Sequence, residues 1–269
     1  CILTLNLKNN EKSRLKLPDG IKNPHDFKIS PKGNNLLIQE TKDGIDHLDV
    51  FLIRDGKIIQ KIPQFLSASY VVWNTRWLTD TEVVYTLENI GKPASIQSYD
   101  TKTKRTTEWT KERLPSQLEN RIRSPQAIKW KSFDQKEISG YIVRPIQSEK
   151  RTPVLIFVHG GPPVLDKPVF NSQDIRLASS LGLTIIHTNI RGSDGFSKDF
   201  MDADNREKRN DPVKDVRALL DWIGKQPDLD AGRIYLRGES YGGFIVLSTA
   251  LQEPKRVKAV IAEYPLVSI

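Results

Sequence analysis

Along residues 1 to about 120, apolar and polar positions alternate in short runs that end in turn residues, the period-two signature of half-buried strands. "LTLNLKNNE" and "LDVFLIRDG" each read as a strand and a turn, and the pattern repeats. "KSRLKLP" at Lys12 to Pro18 returns as "KIIQKIP" at Lys57 to Pro63, an offset of 45, and "SIQSYDTKTKRTTEWT" is a third copy. Between the copies, "FKISPKGNNLLIQ" aligns with "TRWLTDTEVVYTL", Ile29 over Trp77, each giving a strand, a polar turn and another strand. A period of 45 to 48 residues with about four strands per unit lies near the ~40 to 50 of propeller blades. Residues 1–120 are therefore predicted to be a partial β-propeller of two blades and part of a third, the tail of a larger ring. A small β-sandwich is the competing architecture, and the repeat argues against it.

From Ala127 the pattern changes. "AIKWKSF" and "EISGYIV", joined by Asp134 to Lys136, read as a hairpin. After the polar linker "RPIQSEKRTP" come four continuous apolar runs at 154–158, 183–189, 233–237 and 258–263, alternating with three helical segments. Buried strands separated by helices predict a parallel sheet covered on both faces. Asp211 followed by Pro212 is expected to be an N-cap and first-turn pair, with Val213, Val216, Leu220 and Ile223 on one helix face. Gly182 is expected to stop the preceding helix. Residues 121–269 thus read as a doubly wound, mainly parallel α/β domain.

Such sheets carry function in the loops at the carboxyl ends of their strands. Three glycine-rich loops fall there: "HGGPP", "RGSDG" and "GESYGG". In the last, a strand ends near Arg237 and a helix begins a few residues later, the strand-turn-helix context in which GxSxG becomes a nucleophile elbow. Gly238 and Gly242 would keep side chains from colliding with the neighbouring strand and helix, and Ser240 would be lifted to a helix N-terminus, where developing negative charge is favoured. The N–H after the nucleophile, here that of Tyr241, and an N–H of the "HGGP" loop are the expected oxyanion donors. A packed tight turn is the alternative for each glycine loop taken singly.

Composition changes this picture little. Charged residues make up 28% of the chain and hydrophobic ones 38%, the balance of a soluble globular protein. The net charge of +8 is spread over both halves, with 20 basic and 15 acidic residues in 1–125, so no nucleic-acid footprint is expected. No apolar run approaches the ~20 residues of a bilayer span, and none is flanked as a leader would be. A cytoplasmic protein without membrane contact is the expectation, from a chain whose true beginning is missing. The single cysteine, at position 1, excludes an internal disulfide.

The motifs "HGGP", "NIRGSDGF" and "GESYGGF", in this order and spacing, resemble the prolyl oligopeptidase family of serine peptidases, near its acylaminoacyl-peptidase and dipeptidyl-peptidase branches. The resemblance covers roughly Ala127 to Ile269, including "WKSFDQKEISGYIVRP". It implies an α/β-hydrolase domain preceded and capped by a β-propeller, with Ser240 as the acylated nucleophile and the Tyr241 and Gly161 N–H groups as the oxyanion hole. It also implies an active-site loop from Arg191 to Gly195 beside them, with Gly192 in its turn, and Gly243 completing the elbow. His159 and Gly160 would belong to the oxyanion loop, His159 bracing its turn. Peptides or acyl-peptides would be the substrates, with no cofactor and no metal.

One part of the family pattern is absent. Elbow hydrolases place the acid and then the base after the serine, whereas residues 241–269 contain Glu253 and Glu263 but no aspartate and no histidine. His25 and His47 belong to the first half, and His187, at the end of a strand, is the nearest other candidate and reads better as a satisfied core residue. The α/β domain is therefore expected to be incomplete at its C-terminal end and the 269 residues alone to be inactive, because serine without a base is a poor nucleophile. An esterase or acyl hydrolase on the same fold, or a non-catalytic peptide-binding remnant, are the alternatives.

Overall fold

The computed structural model describes residues 2–6, 9–21, 24–42, 45–55, 57–62, 71–116, 121–146 and 150–267. Cys1, Pro63, the predicted domain boundary near 120, the middle of the polar linker and Ile269 lie outside them. The chain divides into two compact units, Cys1–Arg113 and Leu114–Ile269.

In the first unit, β1 (Leu3–Asn6) and β2 (Glu11–Arg14) form an antiparallel pair. β3 (Pro24–Ile29), β4 (Asn35–Lys42), β5 (Ile45–Arg54) and β6 (Lys57–Ile62) form a four-stranded antiparallel sheet in sequence order. A second sheet of the same design follows, from β7 (Val71–Trp77), β8 (Glu82–Asn89), β9 (Lys92–Asp100) and β10 (Arg105–Glu108). Leu37, Leu48 and Val50 of one sheet share a core with Val72, Val83 and Tyr85 of the other. The polar turns are tied together as well: Lys32 N–H donates to Asp80 Oδ1 (2.7 Å), and Trp77 Nε1–H donates to the Lys28 carbonyl (3.1 Å).

The second unit opens with the hairpin of β11 (Gln126–Lys131) and β12 (Glu137–Val143). There follow β13 (Thr152–Val158), α1 (Ser172–Leu181), β14 (Thr184–Asn189), the short α2 (Lys198–Met201), α3 (Asp211–Gly224), β15 (Leu229–Glu239), α4 (Tyr241–Gln252) and β16 (Val257–Glu263). They build one sheet in the order β11-β12-β14-β13-β15-β16, antiparallel at β12/β14 and parallel from β14 to β16. All four apolar runs are strands of this sheet. From β13 the chain winds first to β14 and then back across to β15, so the carboxyl ends of β13 and β15 lie side by side at the point where the winding reverses, the place such sheets use for ligands.

The alternation of side chains along each strand divides the two faces. Val154, Ile156 and Val158 of β13 face the core that also holds Val213, Val216 and Leu220 of α3 and Ile245 of α4. Leu155 of β13, Tyr235 of β15 and Ile261 of β16 line a groove on the opposite face with Leu177 and Leu181 of α1. Gly182 caps α1 in the left-handed conformation (φ 64°), and Asn171 caps its start by accepting from the Gln173 and Asp174 N–H groups. The expected cap at Asp211 needs correction. The cap position is Asn210, without a side-chain capping bond, and Asp211 is already helical. Its carboxylate is engaged by Lys214 Nζ (2.8 Å) and by Arg191 (3.6 Å), which leaves it no part in capping.

Candidate active site

The three glycine loops meet at the carboxyl ends of β13, β14 and β15. Ser240 stands alone between β15 and α4 with φ 49° and ψ −114°. Positive φ is uncommon for a residue with a Cβ and costs of order 1–3 kcal/mol, so it persists only where surrounding structure fixes it. Here the Ser240 N–H donates to the Glu263 carbonyl (2.8 Å), while its carbonyl accepts from Phe244 N–H (3.2 Å) and Leu266 N–H (3.3 Å). Its side chain makes no capping bond to α4.

The packing leaves no room for side chains at the flanking glycines. A Cβ on Gly242 would press into the Val158 and His159 carbonyls, and one on Gly238 into the Gly242 carbonyl. Gly243 packs on Pro265, where a Cβ would lie 3.0 Å from its ring. These contacts bring α4 against the end of β13. Across that junction a Cβ on Gly160 would lie 3.3 Å from Ser240 Cβ, so the loop after β13 touches the elbow, and Gly161 follows with φ 54°.

His159 is buried. Its Nε2 lies 2.9 Å from Ser193 Oγ and its Nδ1 3.0 Å from the Gly160 carbonyl, while the Ser193 hydroxyl bonds the Ile190 carbonyl (2.6 Å). The imidazole thus joins the loop after β13 to the loop after β14. Arg191 begins that second loop, and its side chain turns inward, only 2% exposed. Nη2 meets Asp215 Oδ1 at 2.7 Å, and the same guanidinium holds both oxygens of Asp134 at 3.1 Å and stacks over Phe133. Burial pushes the Asp215 carboxyl above its usual range despite the Arg191 hydrogen bonds that oppose it. Arg191 therefore pins the loop to the β11–β12 turn and to α3 from within.

Gly192 adopts φ 97°, and a Cβ there would lie 2.7 Å from the carboxylate of Asp204. That carboxylate is buried: Oδ2 accepts from the Tyr241 hydroxyl (2.8 Å), and Oδ1 has no partner. Burial, followed by the Asp204 hydrogen bond, raises the Tyr241 hydroxyl well above its ordinary range. The Tyr241 ring is thereby locked inside while its N–H opens α4 beside Ser240.

His187 is no free base. Nδ1 lies 2.8 Å from Asp166 Oδ2 and Nε2 2.7 Å from Asp174 Oδ2, with the ring stacked 4.5 Å from Tyr141. Burial alone would lower its pKa, but the carboxylates, Asp166 foremost, lift it to about 10. The reading of His187 as a satisfied core residue agrees with this geometry; its two carboxylates carry no sequence signal. Glu253 and Glu263 are likewise engaged, by Arg217 and Arg237. Among the described residues no helix is long and apolar enough to cross a membrane.

A mainly parallel sheet wound in both directions, a strained serine between strand and helix, and a glycine loop against it define the α/β-hydrolase class. Comparison with known proteins carries this further: residues 168–269 match the prolyl oligopeptidase family, the family that its motifs resemble. The chain is 27% identical over 148 residues to the uncharacterized peptidase YuxL of Bacillus subtilis (strain 168), an alignment covering 54% of this chain and 22% of that protein. It is 28% identical over 184 residues to the dipeptidyl aminopeptidase BIII of Pseudoxanthomonas mexicana, covering 65% and 26%. In fold it is similar to prolyl oligopeptidase B of Galerina marginata, solved with a 25mer macrocyclization substrate, with a TM-score of 0.84 at 16% identity over 99% of this chain and 37% of that one. The chain spans about a quarter of the length of these curated relatives.

Proposed function

We propose that the protein is a serine-type peptidase that cleaves peptides or acyl-peptides through an acyl-enzyme on Ser240. The observation that carries this is the conformation of Ser240, a non-glycine residue held at φ 49° at the start of α4 with Gly160 packed on its Cβ. A serine serving only as a turn has no need of that strain. In the proposed mechanism a base from outside these residues takes the Ser240 hydroxyl proton as Oγ bonds the scissile carbonyl carbon and passes it to the amine that leaves when the C–N bond breaks. Water then hydrolyses the acyl-enzyme and frees Ser240. The oxyanion formed by the attack takes hydrogen bonds from Tyr241 N–H and Gly161 N–H, each worth roughly 3–4 kcal/mol in the transition state. The fixed ring of Tyr241 and the His159–Ser193 bridge support the two donors.

The acid and base are proposed to come from outside these 269 residues, because His159 and His187 are both bonded elsewhere through both nitrogens. The 269 residues alone would then hydrolyse peptides poorly, since loss of a triad histidine costs on the order of 10⁶ in kcat. The two meander sheets, β3–β6 and β7–β10, are proposed to be consecutive blades of a β-propeller; their equal strand order and repeating offset support this. A peptide substrate is suggested by the prolyl oligopeptidase of the same fold solved with a 25mer substrate.

The test is turnover of an acyl-peptide amide and of the matching ester by the protein expressed from its complete reading frame. Amide hydrolysis lost in Ser240→Ala is expected. Ester turnover without amide turnover would replace the peptidase by an esterase, and amide hydrolysis retained in Ser240→Ala would refute the nucleophile.

A further inference from the structure

The stretch from His159 to Asn171 carries the glycines of the proposed oxyanion loop and has no regular secondary structure. Loops of this length without helix or strand are uncommon in compact domains, and they hold a shape only when tied down. Val164 is tied by its carbonyl to Asp194 N–H (3.1 Å). Asp166 is tied through its backbone to Asn189, which accepts from the Asp166 N–H (2.8 Å) and donates to its carbonyl (3.0 Å). The Asp166 side chain completes the attachment at His187.

Two carboxylates approach one buried imidazole, at 2.8 and 2.7 Å. A neutral imidazole has one N–H, so it can donate to only one of them and would turn a lone pair toward the other. The imidazolium has two donors and satisfies both. The surroundings suit a cation held by two anions. Tyr141 of β12 stacks on the ring and donates its hydroxyl to the Lys167 carbonyl (3.0 Å) and, more weakly, to Asp166 Oδ1 (3.3 Å). Asp174 lies in the first turn of α1, where the helix dipole favours its charge. Phe157 of β13 closes another side, with the Arg237 guanidinium of β15 beyond it, and the buried Lys167 is the remaining charged neighbour on the loop.

We propose that His187 is a positioning residue: held as an imidazolium between Asp166 and Asp174, it fixes the loop whose Gly160 lies against Ser240 and whose Gly161 follows directly. The proposal rests on the reading of that loop as the oxyanion loop. When the imidazolium loses its proton, one carboxylate loses its donor and the Asp166 anchor loosens, so the glycines shift with the charge state of a ring that does not touch them.

The test is NMR of the 269-residue chain with labelled histidine and glycine, reading carbon-bound protons so that alkaline solvent exchange does not erase the signals. His187→Gln assigns the His187 resonance. At pH 8 both His187 ring nitrogens are expected to be protonated, with one midpoint near 10 in place of the usual 6.5. The Hα–Cα signals of Gly160 and Gly161 are expected to move with that same midpoint, while those of Gly224 stay fixed. Asp174→Asn, which removes one of the two anions at some expense in stability, should lower the midpoint and carry the glycine transition with it. A His187 midpoint near 6.5, or glycine signals indifferent to it, overturns the proposal. If a variant fails to fold, the contact of the His187 ring with Tyr141, stacked 4.5 Å away, assigns the resonance and the wild-type titration decides. None of these signals depends on reaction at Ser240, so a Ser240 that fails to react would refute the functional reading while leaving this result readable.

Discussion

Arg191→Met removes one cation from a site containing Asp215, Asp134 and Asp211 and leaves Asp215, fully buried, with only Ser132 and the Arg191 N–H as donors. Breaking a buried ion pair from one side costs about 3–5 kcal/mol, because the remaining charge is uncompensated. Asp215→Asn keeps the shape and leaves Arg191 paired with Asp134, so a smaller loss of about 1–3 kcal/mol is expected. The double variant should cost less than the two single ones together, by ~0.5–3 kcal/mol, because no orphaned charge remains. The pH dependence has a definite sign. Burial already raises the Asp215 carboxyl, and loss of the guanidinium raises it further, so the folded state takes up a proton more readily than the unfolded one. The Arg191→Met deficit should therefore shrink as pH falls from 8 to 5, and the double variant should show no such recovery. Because the chain has two compact units, global unfolding need not be two-state. Urea unfolding is best followed by the fluorine resonance of 5-fluorotryptophan at Trp130, whose indole donates to the Asp215 carbonyl (2.9 Å). A cost below about 1 kcal/mol, strict additivity, or a deficit independent of pH would refute the assignment of Arg191 to the interior.

Other expectations are equally specific. Gly242→Ala drives a Cβ into the Val158 carbonyl and should lower the melting temperature, whereas Gly224→Ala, where the space is open and a helical alanine is worth up to ~1 kcal/mol, should hold or raise it; paired thermal melts compare them. Tyr241→Phe strips Asp204 of its hydroxyl donor and should cost ~1–3 kcal/mol or more, yet leave Ser240 reactive because the backbone N–H is unchanged. Parallel urea titration and active-site labelling separate the two effects. His187, with a folded pKa raised to about 10, contributes stability that is complete below about 6.5 and fades as pH rises toward 10. The melting gap between wild type and His187→Gln should close over that window, and a constant gap would contradict the ion-pair account.

The elements that build the site were legible because each is local. "VLIFV" and "LTIIHTN" are continuous apolar runs with only one fate in a doubly wound sheet, and "GESYGG" combines a strand end, three glycines and a helix start within a few residues. What holds the site was not legible. Asp166 and Asp174 lie 21 and 13 residues from His187, and Asp215 lies 24 from Arg191. No local pattern marks aspartates that will meet a particular base after folding. Asp211 shows the same limit at short range: its sequence neighbours suggest a cap, and a long-range pull from Arg191 assigns it elsewhere.

The most direct test of the central claim is to treat the protein from its complete reading frame with a fluorophosphonate and locate the adduct by peptide mass spectrometry. The account predicts a single phosphonylated site, Ser240, with labelling abolished in Ser240→Ala and sharply slowed in the isolated 269 residues. An adduct on any other residue, or equal labelling of Ser240→Ala, would contradict it.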